Sequence, residues 1–222
     1  MANIAEQITV TRGAESALFP RLIRATDLDT RDRCQGEDSA FDFQSLRGHL
    51  VELGCDRSSA CLSLSCSLLL QAQQRSAAAI WISATRDTFY PPDLAANGVK
   101  LSLLPVVWVE HPRAACRAAD WLLRSGAFGL MVVDLDGCLR LPAALQARLA
   151  QLAHRYGCAV CFLTRKAESS PSLGSMISVY ARAQRSGEEA GCYRLSVRVV
   201  KDKRRAPVWE HVEYFHGPPG LY

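Results

Sequence analysis

At 222 residues, 49% apolar and 22% charged, the chain can bury one large core, and one main domain is the simplest expectation. No apolar run reaches the ~18 residues of a membrane span, and the opening MANIAEQITVTRG lacks the basic start and apolar centre of a signal peptide. A membrane-embedded or secreted protein is therefore not expected, and a soluble, cytoplasmic one is.

Residues 14–25, AESALFPRLIRA, place Leu18, Phe19, Leu22 and Ile23 on one side of a short amphipathic helix. The polar stretch 26–42 reads as a linker or arm, so residues 1–42 are expected to lie outside a core domain of residues 43–222. From His49 onward, apolar strands alternate with helices: strand 49–54, helix 58–74, strand 78–83, a short helix at 92–97, strand 105–109 and helix 112–125. Strand 128–133, helix 142–156 and strand 158–163 follow. Pro112 suits a first helical position, and Gly126 and Gly157 supply stops just beyond two helices. This alternation predicts an α/β fold with a mostly parallel sheet covered by helices on both faces. After a polar loop, strands 176–184, 192–200 and 207–214 are expected as an antiparallel meander; the middle one alternates Tyr193, Leu195, Val197 and Val199 with Arg194, Ser196 and Arg198.

Charge is divided unevenly. Residues 1–110 carry 10 Lys and Arg against 13 Asp and Glu, and residues 111–222 carry 16 against 9, giving −3 and +7. A basic second half suits nucleic acid or an acidic partner, the plain alternative being a solvated surface. The nine cysteines form an odd set without framework spacing, and Cys61, Cys66, Cys138, Cys158 and Cys161 fall in apolar stretches, so reduced, buried thiols are expected.

The window VELGCDRSSACLS, residues 51–63, has the strand–loop–helix setting of a phosphate-binding loop without the groups that hold phosphate. Where such a loop carries two glycines, a lysine and a hydroxyl, this chain has Cys55, Ala60, Cys61 and Leu62. Losing the ammonium alone removes an attraction of roughly 4 kcal/mol for charges ~4 Å apart, and leucine cannot ligate magnesium. An ordinary strand-to-helix turn is the alternative; Ser58 and Ser59 then serve as helix caps. Further along, Asp134 closes the apolar run FGLMVVD, Thr85 follows the strand AAIWIS, and KDKRR, residues 201–205, forms a basic cluster.

Together these segments resemble a RecA-type recombinase core, from Phe41 to Tyr222. VELGCDRSSACLSLSCSLLLQAQQRS resembles its strand, phosphate loop and first helix, LLRSGAFGLMVVDLDG the segment ending in a magnesium-associated Asp, and RLSVRVVKDKRRAPVWEHVEYFHGPPG the closing strand pair. The resemblance implies that Asp134 is a retained acidic position and that Thr85 stands where a water-activating Glu has been lost. Threonine is no general base. It also implies that the loop after Arg165 is a shortened, serine-rich version of a DNA-gripping one, and that Lys201 and Lys203 match a pair reaching toward a neighbouring subunit's nucleotide. Neither catalysis nor a cofactor is expected.

Within that group, the chain resembles the ImuA family, degenerate RecA-like proteins of the bacterial translesion mutasome, through ALFPRLIRATDL ahead of a disarmed core. The resemblance implies a non-catalytic role in damage-induced translesion synthesis. The implied partners are an ImuB-type Y-family polymerase homologue, an error-prone replicative-type polymerase in the same complex, and RecA. Two alternatives stand beside it: a residual nucleotide-binding ATPase with an atypical loop, and a SulA-like inhibitor of cell division. The expected contact surface for a partner, or for weak DNA binding, is Arg194, Arg198, Lys201, Lys203, Arg204 and Arg205. Cys158 and Cys161, three apart on a strand, should point to opposite faces, and His211, Glu213 and His216 do not make a zinc set. No metal is expected.

Overall fold

The computed structural model describes residues 41–55, 60–85, 88–135, 141–167, 169–187, 192–204 and 209–216. The chain divides into two units, Met1–Asp38 and Ser39–Tyr222, and the described residues belong to the second. The expected helix at 14–25 and loop 56–59 lie outside them, as do Cys138 and Arg205.

Eight strands form one mixed sheet: β1 Leu50–Cys55, β2 Ala79–Ser83, β3 Val106–Trp108, β4 Leu130–Asp134, β5 Ala159–Arg165, β6 Val179–Gly187, β7 Cys192–Asp202 and β8 Trp209–His216. Their order across the sheet is β3-β2-β4-β5-β1-β6-β7-β8. Pairings from β3 through β6 are parallel, and β6–β7 and β7–β8 are antiparallel. The helices are α1 Phe43–Leu46, α2 Ala60–Gln74, α3 Pro91–Ala96, α4 Pro112–Arg124 and α5 Ala143–Tyr156.

Strand alternation sorts side chains into two cores. Val51, Leu53, Trp81, Val132 and Cys161 pack with α1 and α2, while Leu50, Ile80, Ile82, Val133 and Phe162 pack with α4 and α5. Both faces of the parallel strands are buried, hence their nearly unbroken apolar sequences. Trp81 and Phe162 are wholly enclosed, each side chain worth about 1.5–3 kcal/mol on burial. The two stop signals take left-handed backbone, Gly126 at φ 66° and Gly157 at φ 61°, a conformation that costs glycine no Cβ clash.

The expected third-from-last strand, 176–184, begins and ends three residues later, as β6 at Val179–Gly187. Residues 176–178 instead finish a strap that comes back over the sheet: Met176 N–H donates to Gln146 Oε1 on α5 (3.1 Å), Ile177 is buried among the α4 and α5 contacts, and Ser178 N–H donates to Leu50 O (2.8 Å). Helix α1 was not anticipated either. Asp42 caps it, accepting from Ser45 N–H at 2.7 Å, and Phe41 beside it is already fully buried. Among the described residues, no helix is long and apolar enough to cross a membrane.

Candidate functional site

Parallel strands gather their C-terminal ends on one rim, where open α/β sheets bind ligands. Here that rim holds the ends of β1, β2, β4 and β5, with β1 between β5 and β6. The rim is where Cys55, Thr85 and Asp134 fall, and α2 starts just after it.

The start of α2 is apolar and turned inward. Ala60 and Cys61 are buried in the core cluster and Leu62 packs against it. These three positions, at which a phosphate loop would present a glycine, an ammonium and a hydroxyl, therefore anchor the helix to the sheet. The side chain of Cys55 lies outside the described residues.

Asp134, 3% exposed, pairs in register with Ser83 across β4 and β2. Ser83 Oγ lies 3.2 Å from Asp134 Oδ2 and the Thr88 hydroxyl donates to the same oxygen. Ser83 Oγ also lies 2.6 Å from Thr85 O and accepts from Thr85 N–H at 3.3 Å, folding the loop after β2 back on the strand. Thr85 is thus held by its backbone beside Asp134, and the carboxylate is engaged by neighbouring hydroxyls.

A second polar centre, one that sequence reasoning missed, lies under the strap between β5 and β6. Glu52, in the middle of β1, is fully buried. It accepts from Thr164 Oγ1 (3.0 Å) and from Leu173 N–H (2.7 Å), and it forms an ion pair with Lys166, whose side chain is 2% exposed. The Lys166 ammonium sits 4.7 Å from the centre of the Tyr180 ring. Burial pushes the Tyr180 phenol above its usual range against the pull of Arg182, so it stays protonated. Tyr180 Oη donates to Ser170 O (3.3 Å) and accepts from Arg182 Nη1 (3.1 Å). Arg182, itself buried, donates to Ala167 O (3.0 Å) and Lys166 O (3.2 Å). The strap is fastened at both ends: the serine-rich segment that sequence alone leaves as a free loop is tied to β1 and β6. Gly54 makes room for this, since a Cβ there would come 3.1 Å from the Tyr180 ring.

No protein-family model matches this chain, and no curated protein matches it either.

Of the six basic residues expected to form a single surface, the five described are distributed over three settings. Arg194 and Arg198 are exposed on the face of β7 opposite the buried Leu195, Val197 and Val199. Lys201 and Lys203 fasten the strap, donating to Gly174 O (3.3 Å) and to Ser175 O. Burial and the neighbouring Lys203 charge hold the Lys201 ammonium's pKa below its usual range, against the attraction of Glu52. Arg204 grips Asp202, donating through its backbone N–H (2.8 Å), Nε (3.0 Å) and Nη2 (3.0 Å), and reaches Ser45 O in α1. Arg205 lies outside the described residues.

Cys158 and Cys161 sit in the two opposite cores, as their spacing implies. Burial pushes the Cys116 and Cys158 thiols up to about 12 and Cys161 higher still, which makes all three poor nucleophiles at neutral pH. Among the described residues, no three His, Cys, Asp or Glu side chains gather to hold a metal ion.

Proposed function

We propose that this protein is a non-catalytic, RecA-like accessory factor of the ImuA type, acting in damage-induced translesion synthesis by binding an ImuB-type polymerase homologue. One observation carries the reading: the start of α2, where a triphosphate would be gripped, is built from Ala60, Cys61 and Leu62 packed into the core. Restoring a lysine at position 61 would require taking a buried side chain out of that core, so this rim is arranged for stability. The sheet order, with β1 central, Asp134 ending β4 and an antiparallel meander closing the chain, is compatible with the recombinase-like part of the proposal. The described part of the strap is tied to β1 through Lys166 and Leu173 on Glu52, which supports a preset surface on this side of the sheet. A preset contour suits protein recognition, because little ordering cost then falls on binding.

The test is reconstitution. Purified protein mixed with an ImuB-type homologue and the error-prone polymerase should co-elute with them, while titration with ATP and magnesium should give neither micromolar binding nor turnover. Nucleotide binding without co-elution would replace this proposal with the residual ATPase.

A further inference from the structure

Strand β8 is the last of the sheet among the described residues, bonded to β7 on one side in an uninterrupted register from Trp209 to His216. Its sequence, WEHVEYFH, contains no Lys, Arg or Pro, the residues with which natural edge strands discourage pairing. We propose that β8 pairs with β8 of a second copy of this chain, antiparallel about a twofold axis at Val212, joining two eight-stranded sheets into one.

The register follows from symmetry and charge. A twofold axis that sets two copies of one strand side by side and antiparallel stands normal to the sheet, so facing residues belong to the same sheet face. Because successive residues alternate faces, the axis must pass at a residue rather than between two. The centres that pair most of the strand are Val212 and Glu213, which align 209–215 and 210–216 respectively. Centring on Glu213 sets that carboxylate against its own copy, a destabilising like-charge pair. Centring on Val212 sets His211 opposite the second copy's Glu213, twice, and Glu210 opposite its Tyr214. Within one strand His211 Nε2 and Glu213 Oε1 are already 2.9 Å apart, and their side chains are only 12% and 21% exposed. Both stand opposite core residues of β7, His211 by Val197 and Glu213 by Leu195, so they share the α2 face. Pairing completes an alternating ring of two imidazoles and two carboxylates across the axis. One strand per copy is a smaller contact than the ~1,200–2,000 Å² of a standard interface, so the association should be reversible, in the micromolar range.

The proposal is independent of the accessory role, which co-elution with the polymerase homologue tests separately. Sedimentation equilibrium of the full chain should show a monomer–dimer equilibrium at micromolar concentrations. His211→Glu, which sets two carboxylates face to face on each side of the axis, should weaken it by about tenfold or more. The exchange H211E/E213H should restore it. Val212→Lys, on the sheet face opposite the α2 core, should also give monomer with an unchanged circular dichroism spectrum, a control should H211E disturb folding. A native chain that stays monomeric at high micromolar concentration overturns the proposal. So does a dimer indifferent to V212K, or a charge exchange that fails to restore association in a folded protein.

Discussion

Glu52 and Asp134 lie on β1 and β4, separated by β5, and both are shut away from solvent, at 0% and 3% exposure. They are stabilised by different means. Glu52 is answered by a buried ammonium, a hydroxyl and a backbone N–H, all from the segment that follows β5 or from β5 itself. Asp134 is engaged by the hydroxyls of Ser83 and Thr88 from β2 and its following loop. The first arrangement couples a distant strap to the central strand through a full charge pair, which is costly to break from one side. The hydroxyl contacts of the second are hydrogen bonds, individually weaker and more easily replaced. A buried carboxylate of this sheet can therefore be held by a charge pair or engaged by hydroxyls, and its neighbours decide how strongly the strands around it are coupled.

The largest expected effect is on the Glu52 side. Lys166→Met should destabilise the fold by about 3–5 kcal/mol, because Glu52 would be left buried without its partner, whereas E52L/K166M should recover most of that loss; urea unfolding measures both. Full stability in K166M alone would remove the distinction between the two carboxylates. A third buried carboxylate extends the comparison. Asp202 is held by Arg204 as Glu52 is held by Lys166, so Arg204→Glu should cost about 3 kcal/mol in the same assay. Charge reversal at Arg204 therefore cannot serve as a pure surface probe. On the Asp134 side, Thr88→Val should cost only about 1–2 kcal/mol, and a loss as large as that of K166M would make the two sites equivalent.

Acid sharpens the contrast further. Burial alone would raise the Asp202 carboxyl pKa, but hydrogen bonds from Arg204 and Trp209 outweigh it and hold the group below its usual range. The unfolded chain then binds the proton more readily, so this stabilisation is fully present above the ordinary carboxyl value of ~3.9 and is lost as pH falls through the lower folded value. Native protein should lose its advantage over Asp202→Asn across that acid range, as read from thermal unfolding at successive pH values. The smallest effect belongs to Lys203→Glu, an exposed side chain with one bond to the strap: a stability change within about 0.5 kcal/mol is expected. That makes it the suitable charge reversal for testing partner contact.

Much of the fold was legible because it depends on short-range pattern. Strands buried on both faces read as apolar runs, and Pro112, Gly126 and Gly157 punctuate helices for local steric reasons. Asp134 was legible as well, being the acid that ends such a run. Glu52 was not, although it stood in plain view in VELGC: a single acid within an apolar strand gives no hint of its partner, and Lys166 looks like any lysine opening a polar loop. A signal existed in the pairing of a buried-strand acid with a lysine just beyond a neighbouring strand, but it becomes visible only once β1 and β5 are known to be adjacent. The basic cluster was less legible. KDKRR reads as one patch, yet a chain leaving a strand turns its side chains several ways, and Arg204 turns toward Asp202 and α1 while Lys203 reaches the strap.

The amino-acid order by itself determined the alternation of strands and helices, the two-faced burial of the parallel strands and the apolar start of α2, since each depends on side chains within a few turns or pleats of one another. Tertiary structure alone decided which buried charges are matched, how the strap is fastened and which strand comes last in the sheet among the described residues. Those outcomes depend on contacts between residues far apart in the chain, Thr164 and Glu52 being 112 positions apart, and distance along a sequence carries no information about proximity until the strands have taken their places.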